Sequence, residues 1–168
     1  MPTQPEYWQR GPVEGIPALL QPVAHALLQA REEVKEALGN FPEKELWSRP
    51  GGAASAAFHL QHLTGVLDRL FTYASANQLS NAQLEYLSAE GKENETISIP
   101  VLIDNFNKQV NKSIDQLRRT NENSLLEKRE VGRKKIPSNV LGLLFHAAEH
   151  TQRHVGQLIV TVKVICNR

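Results

Sequence analysis

The sequence predicts an all-α fold, a four-helix bundle with a long connection between the second and third helices. Four segments of roughly 20 residues each carry apolar side chains at the helical period. No run alternates apolar and polar residues for long enough to require a sheet. Helices with one apolar stripe each bury those stripes most completely by packing against one another, which gives a bundle.

Two segments in the N-terminal half predict the first two helices. The first begins near Gly15 and ends at Gly39-Asn40, a typical C-terminal signal. Within it, Pro22 indicates either a kink or a later start. A loop containing proline and glycine covers residues 41–52, and the second helix is predicted from about Ala53 to Ser75.

The C-terminal half predicts two further helices separated by polar segments. Residues 77–98 break the apolar pattern and form the long connection, with one short helix after Ser80. The third helix is predicted from Ile99 to about Thr120, and residues 121–135, where acidic and basic side chains are mixed, as a solvated loop. The fourth helix is predicted to start at Pro137-Ser138 and to end near Val164.

The N-terminal residues predict an arm on a single domain. Residues 1–14 are rich in proline and read as an irregular arm, and residues 15–168 form the bundle domain. The aromatic pair Tyr7 and Trp8 either packs the arm onto the domain or folds over the site as a lid, with packing the simpler interpretation.

Charge and composition limit the partners and the compartment. The net charge is +1 with acids and bases interleaved, so nothing indicates a nucleic acid or a membrane surface as partner. No apolar stretch approaches the roughly 18 residues typical of a membrane span. Cys166 is the only cysteine, which rules out an intramolecular disulfide framework, and the N-terminal residues do not resemble a secretion signal. These features predict a cytoplasmic protein.

The placement of histidine predicts a metal site. Five of the six histidines fall in two short segments, His59/His62 and His146/His150/His154. Residues three or four apart lie close together on one face of a helix. Two packed helices would bring three or four imidazoles to one point, by the geometry that lets histidines at i, i+4 chelate zinc.

Ordinary packing is the alternative for each histidine. A lone histidine on an amphipathic helix is commonly a hydrogen-bonded boundary residue, and His25 has only that interpretation. For the two clusters the metal interpretation is favoured. Several imidazoles buried in an apolar seam need polar partners, and one metal ion satisfies them together.

Two segments resemble those of a known family. The C-terminal segment HAAEHTQRHVGQL contains the pattern H-x-x-x-H-x-G-Q, formed by His150, His154, Gly156 and Gln157. With FHLQHLTGVLDRLFTYA, which contains His62, it resembles the two metal-bearing helices of the DinB-like (YfiT-like) family of metal-dependent enzymes. The resemblance implies His62, His150 and His154 as metal ligands in a four-helix bundle with a long connection after the second helix. It also implies a homodimer, and some members are transferases that use a low-molecular-weight thiol such as bacillithiol or mycothiol.

Three further residues, His59, His146 and Gly156, lie near the implied ligands in the sequence. His59 and His146 lie one helical turn from the implied ligands, and they are extra ligands, hydrogen-bond partners in the second shell, groups facing the substrate, or packing residues. The sequence leaves these alternatives open. Gly156 weakens a helix, so its presence predicts the close approach of a neighbouring backbone.

Glu149 and Arg69 are the candidate catalytic residues. Glu149 lies next to His150 in the sequence. Its carboxylate has three interpretations, as a general base, as a group that orients a ligand, or as a partner in a salt bridge, and the salt bridge is favoured. Arg69 follows His62 on the same helix face, where it either binds an anionic group of the substrate or forms an ion pair within the protein. The ion pair is favoured.

The ligand set predicts the chemistry in outline. Three protein ligands leave one position for water or substrate, as in catalytic sites. A divalent ion, with zinc or nickel the first candidates, lowers the pKa of bound water toward about 7 or binds a thiolate. The sequence therefore predicts a metal-dependent enzyme that acts on a small molecule by hydrolysis or by thiol S-transfer. The alternatives are a non-catalytic metal-binding or stress-response protein, which a fourth protein ligand would favour, and an interaction domain without metal chemistry.

Overall fold

The computed structural model describes residues 4–167, which form five α-helices and one small antiparallel sheet. The helices are α1 (Gln21–Leu38), α2 (Ala56–Ala74), α3 (Asn81–Ala89), α4 (Ile99–Arg119) and α5 (Val140–Cys166), and the strands are β1 (Lys128–Val131) and β2 (Ile136–Asn139). The prediction of a helical fold is therefore correct for most of the chain. The first three residues of the predicted arm and the last residue of the predicted domain lie outside this range.

The four long helices share one apolar core. Helix α2 packs against α4 and α5, and α1 packs against the same two helices. Each contributes side chains that are shielded completely, among them Leu27 on α1, Leu63 on α2, Phe106 on α4 and Leu158 on α5. Burial of one such side chain contributes roughly 1.5–3 kcal/mol. The contact between α2 and α5 places the two histidine-bearing segments opposite each other.

The first helix starts later than Gly15. Residues 18–20 form a 3₁₀ turn, and α1 begins at Gln21 with Pro22 in its first turn, where the missing N–H of proline is tolerated. Of the two alternatives for Pro22, the later start is correct and no kink is needed. The helix ends at Leu38, directly before the predicted Gly39-Asn40 signal.

Capping side chains set the starts of α2 and α3. Ser55 accepts a hydrogen bond from the Phe58 N–H (3.2 Å), so α2 begins three residues later than the predicted Ala53. The predicted short helix after Ser80 is present as α3, where Ser80 and Gln83 form a capping box. The long connection between the second and third long helices is thus partly ordered by its own helix.

The segment predicted as a solvated loop, residues 121–135, contains the first strand of a β-hairpin, so that prediction is wrong. The second strand lies where the fourth helix was predicted to start, and α5 begins three residues after Pro137. Strands β1 and β2 pair with Arg129 opposite Ser138, and the guanidinium of Arg129 donates to the Ala74 carbonyl at the end of α2 (2.8 Å). Each strand has four residues, mostly polar, which is too short a run for a reliable period-two pattern. The Pro137-Ser138 pair lies in β2, and Asn139 caps α5 by accepting from the Gly142 N–H (2.7 Å).

The N-terminal arm lies on α1. The Tyr7 N–H donates to the Gln29 side chain (3.0 Å), while Trp8 is 64% exposed and donates its indole N–H to Glu6 (2.7 Å). The arm therefore packs on the domain through Tyr7, whereas Trp8 stays largely exposed. Within residues 4–167, the structure contains no helix of the length and apolarity needed to cross a membrane.

Candidate metal centre

Three histidines from two helices converge between α2 and α5. His62 faces inward from α2, and His150 and His154 face it from consecutive turns of α5. One ring nitrogen of each residue lies within 4.8 Å of one ring nitrogen of each of the others. All three side chains are only partly buried. The structure therefore brings together the three residues that the sequence singled out as ligands, at a point that solvent can reach.

The spacing of these nitrogens fits a shared cation. The Nε2 atoms of His62 and His150 lie 2.9 Å apart. Two imidazole nitrogens bound to one tetrahedral zinc ion would be about 3.3 Å apart. An adjustment of a few tenths of an ångström would convert the observed contact into a ligand pair. Neutral imidazole donors of this kind suit zinc, nickel and other divalent first-row ions.

A buried carboxylate orients His62. Nδ1 of His62 lies 2.7 Å from Oε2 of Glu90, and Oε1 of the same carboxylate accepts from Nη1 of Arg69 (2.6 Å). Although burial opposes it, hydrogen bonds from His62 and Arg69 hold the pKa of Glu90 below its ordinary value. Because the ionised carboxylate accepts the Nδ1–H of His62, the lone pair of Nε2 is directed toward the other histidines.

His59 contacts the ring of His154, as Glu90 contacts the ring of His62. Nδ1 of His59 lies 3.2 Å from Nδ1 of His154, so one of the two nitrogens donates and the other accepts. Burial, together with the nearby His62 imidazole, lowers the pKa of His59 to about 4. Burial and the same neighbour lower the pKa of His154 to about 4 as well. Both rings are therefore neutral near pH 7. If His154 donates from Nδ1, its Nε2 remains available to a cation.

His150 has one nitrogen without a partner. Its Nδ1 is buried and makes no hydrogen bond to any described residue, whereas its Nε2 faces His62. Burial first, and then the imidazoles of His62 and His146, lower the pKa of His150. A neutral ring that carries its hydrogen on Nδ1 presents an Nε2 lone pair to the cluster. That tautomer fits the donor set of a divalent cation.

Glu90 is fixed by the loop that follows α3. The next residue, Gly91, donates its N–H to Oε1 of Gln61 on α2 (2.7 Å). Gly91 has φ of +78°, and a Cβ there would lie 2.9 Å from the Phe58 ring, so only glycine fits without strain. Phe58 in turn stacks on His62, with ring centroids 5.3 Å apart. Sequence analysis missed Glu90 and Gln61, since no local pattern connects residues so distant in the chain.

A glycine in α2 makes room for the carboxylate. A Cβ on Gly65 would overlap Oε1 of Glu90 and would lie 2.6 Å from Nη1 of Arg69 and 3.0 Å from the Tyr86 ring. These atoms are buried and hydrogen-bonded, so they cannot move aside without loss of the contact to His62. Because a glycine within a helix weakens that helix, the presence of Gly65 in the sequence was itself an indication of a close contact at this position.

The expectation of a close backbone contact at Gly156 is wrong. Gly156 is exposed, and a Cβ there would have no neighbour within 4 Å. Instead it borders an open groove of about 510 Å³ beside His59, next to Gln157 and Arg153. The missing side chain leaves this groove wider than any other residue would.

Glu149 belongs to a second donor group on α5, which shares His150 with the triad. Its carboxylate lies 2.6 Å from Nδ1 of His146 and accepts from Nη2 of Arg153 at 2.6 Å. Although burial opposes it, these two hydrogen bonds lower the pKa of Glu149. His146, Glu149 and His150 also present donor atoms within 4.8 Å of one another, but this group is more exposed than the triad. His25 lies apart, with Nε2 at 3.0 Å from the Gly11 carbonyl, as expected of a boundary residue.

One comparison with known proteins gives a match. The family model described as the DinB superfamily matches residues 26–158, which include α2 and the whole histidine cluster. No curated protein matches the sequence. The matched range agrees with the resemblance noted for the two histidine-bearing segments.

We expect Gly65→Ala and Gly156→Ala to change stability in opposite directions, although both replace a helical glycine. Gly156→Ala gains helix propensity at an open position and should stabilise the chain by about 0.5–1 kcal/mol. Gly65→Ala forces the Glu90 and Arg69 side chains apart and should destabilise it by about 1–3 kcal/mol. Urea unfolding of both variants measures the difference. Equal stabilisation in both would show that the space at Gly65 is not needed.

The metal-free chain should lose stability between pH 7 and pH 5. His59 and His154 have pKa values of about 4 in the folded chain, against 6.5 for an ordinary histidine. Between these values the unfolded chain binds more protons, so falling pH favours unfolding. The contribution of these two neutral histidines to the free energy of unfolding is fully present above about pH 6.5 and is lost as the pH falls toward 4.

Urea midpoints at the two pH values measure this effect. His59→Asn should reduce the difference between the midpoints, because it removes one of the depressed titrations. His25→Asn, at a site hydrogen-bonded to the arm, should leave the difference unchanged. Identical midpoints at pH 7 and pH 5 for the parent chain would contradict the assignment of neutral, buried imidazoles.

Proposed function

Because the chain belongs to the DinB superfamily, we propose that it is a metal-dependent enzyme in which His62, His150 and His154 bind one divalent ion. The observation that carries the proposal is the convergence of three imidazoles from two helices, with one nitrogen of each within 4.8 Å of the others. The remaining coordination position takes water or a small-molecule substrate, as in catalytic sites with three protein ligands.

Two further observations support an open position. Within the residues described, no group of four that adds His59 or His146 to the triad has all its donor atoms within 4.8 Å of one another. His59 is engaged with His154, and His146 with Glu149. The His62 side chain is 18% exposed, so a small molecule can reach the cluster. A storage or structural site would instead favour a fourth protein ligand.

The surroundings of the triad favour thiol transfer over hydrolysis. A divalent ion supplies positive charge that stabilises a thiolate or hydroxide nucleophile. A general base would assist hydrolysis, and both nearby carboxylates are engaged, Glu90 by His62 and Arg69, and Glu149 by His146 and Arg153. In thiol transfer, the sulfur forms a bond to an electrophilic carbon, and the leaving group departs with its electron pair. The thiol proton passes to solvent. Neither Glu149 nor Arg69 is needed as a catalytic group in this reaction.

The proposal includes the architecture around the site. We place the triad in a four-helix bundle of α1, α2, α4 and α5, within a domain of residues 15–168 that carries the arm on α1. A homodimer and a cytoplasmic location remain part of the proposal, with no nucleic acid or membrane as partner. The exposed apolar side chains of α5, Phe145, Val160 and Val164, are compatible with a second copy packing there.

The purified, untagged chain should contain about one equivalent of divalent metal, because the triad offers one three-imidazole site. His62→Ala, His150→Ala and His154→Ala should each remove it, as measured by elemental analysis. His25→Ala is the matched control and should retain the metal. Absence of metal from the parent chain, with no uptake of added zinc or nickel, would refute the proposal.

The same preparations separate an enzyme from a non-catalytic metal-binding protein. The metal-loaded chain should consume a small thiol in the presence of an alkyl or aryl halide, and the His62→Ala variant should not. Hydrolysis of activated esters without thiol would assign the reaction to the other class. Full metal content with neither activity would favour the non-catalytic alternative.

Glu90→Gln should weaken metal binding by about 10–100-fold, because it removes the charge that holds the Nδ1–H of His62. Competition with a chromophoric chelator gives the affinity, and circular dichroism shows whether the variant folds. Glu149→Gln is the comparison variant, since Glu149 hydrogen-bonds His146 and Arg153 and belongs to the more exposed donor group, which shares only His150 with the triad. A larger loss of affinity in Glu149→Gln than in Glu90→Gln would place the metal in the exposed group on α5 instead.

A further inference from the structure

We propose that a second pocket, lined by Gly65 and by none of the clustered histidines, binds a small carboxylate. The pocket has a volume of about 270 Å³ and lies among α2, α3 and α4. Its lining includes Arg69, Tyr86, Gln109 and Lys112. It shares Arg69 with the hydrogen bonds around Glu90, but none of the five clustered histidines lines it.

Two buried donors in this pocket have no partner. The Gln109 side chain is 8% exposed, and its Nε2 makes no hydrogen bond to any described residue. The Tyr86 hydroxyl is also buried and makes none. Thr64 lies close to Tyr86, but the two hydroxyls are not placed for a hydrogen bond, so the Tyr86 hydroxyl stays without a partner. Buried polar groups are nearly always paired, so two orphans in one pocket indicate a ligand that accepts hydrogen bonds.

The guanidinium of Arg69 adds donors to the same pocket. Within residues 4–167, the side-chain hydrogen bond of Arg69 is the one from Nη1 to Glu90. An arginine has five N–H donors in a planar fork, which suits the two oxygens of a carboxylate. Arg69, Tyr86 and Gln109 together can satisfy both oxygens of one carboxylate. This matches donors to acceptors better than a neutral apolar ligand would.

The acidic residue of the pocket does not oppose this ligand strongly. Asp68 accepts from Nζ of Lys112 (2.7 Å) at one oxygen and from Nε2 of Gln83 (2.6 Å) at the other. Its charge is therefore offset by the ammonium group beside it. The carboxylates already present at this pocket are hydrogen-bonded, and the groups left without partners are donors. The imbalance favours an added acceptor.

Arg69 belongs both to this pocket and to the hydrogen bonds around Glu90, so a ligand in the pocket affects the histidine cluster although the two sites bind different ligands. A carboxylate bound to Arg69 competes with Glu90 for the same guanidinium, and Glu90 orients His62. Binding of the carboxylate itself does not require a metal ion. Carboxylate binding in this pocket can therefore be tested independently of the proposed metal chemistry.

Titration of the full-length chain with malonate, followed by nuclear magnetic resonance, tests the proposal. We expect saturable shifts of the Gln109 side-chain amide and of backbone amides in α3 and α4. Tyr86→Phe and Gln109→Leu should each weaken binding by about tenfold, because each removes a hydrogen bond to a charged group. Tyr7→Phe and Gln78→Leu remove the same groups from exposed or partly exposed positions elsewhere and should bind malonate as the parent chain does.

Three outcomes would overturn the proposal. They are no saturable shift with malonate, unchanged affinity in both pocket variants, and tighter binding of inorganic phosphate than of malonate. The variants are expected to fold, since replacement of an unpaired buried donor by an apolar group of similar shape should raise the melting temperature. A failure here, with the metal still bound by the triad, would leave the proposed metal chemistry untouched.

Discussion

The Glu90 carboxylate is the contact on which the site depends. It accepts from His62 and from Arg69, and its side chain is only 5% exposed. Loss of one partner from a buried charge pair typically costs about 3–5 kcal/mol, because the other charge is left without compensation. The same contact joins the loop after α3 to α2 and selects the tautomer of His62. The position and the tautomer of the His62 ring are therefore set by one residue outside both histidine-bearing helices.

Burial and mutual proximity favour the neutral form of His59, His150 and His154. The pKa values of His59 and His154 fall to about 4, and that of His150 is lowered as well. A divalent ion requires neutral imidazole, so binding near pH 7 releases no protons from these rings. Without an ion, the cluster holds rings at hydrogen-bond distance and one buried nitrogen without a partner. The arrangement is poor for stability alone and well suited to a cation.

The parts of the site that follow from helical geometry were predictable from the sequence. Spacings of three and four residues placed His62, His150 and His154 on facing helices, and the resemblance to a family ranked them above His59 and His146. The apolar period predicted the four long helices, and the short helix after Ser80 was expected as well. These features depend on residues close together in the chain.

The parts that depend on distant residues were not predictable. Glu90 lies in a connecting loop, and only the packing of that loop on α2 brings it to His62. The hairpin is too short and polar for its pattern to stand out, and it depends on a hydrogen bond from Arg129 to the end of α2. Gly65 and Gly156, two of the glycines within the helices, looked alike in the sequence. One accommodates a buried carboxylate, and the other borders an open groove.

A crystal structure of the zinc-loaded chain, with anomalous diffraction measured at the zinc edge, tests the central claim most directly. The proposal predicts one strong anomalous peak about 2.0–2.1 Å from one nitrogen of each of His62, His150 and His154, with a non-protein fourth ligand. His62 should still contact Glu90 through its other nitrogen. A peak in the group of His146 and Glu149, a fourth imidazole on the ion, or no peak near the triad would contradict it.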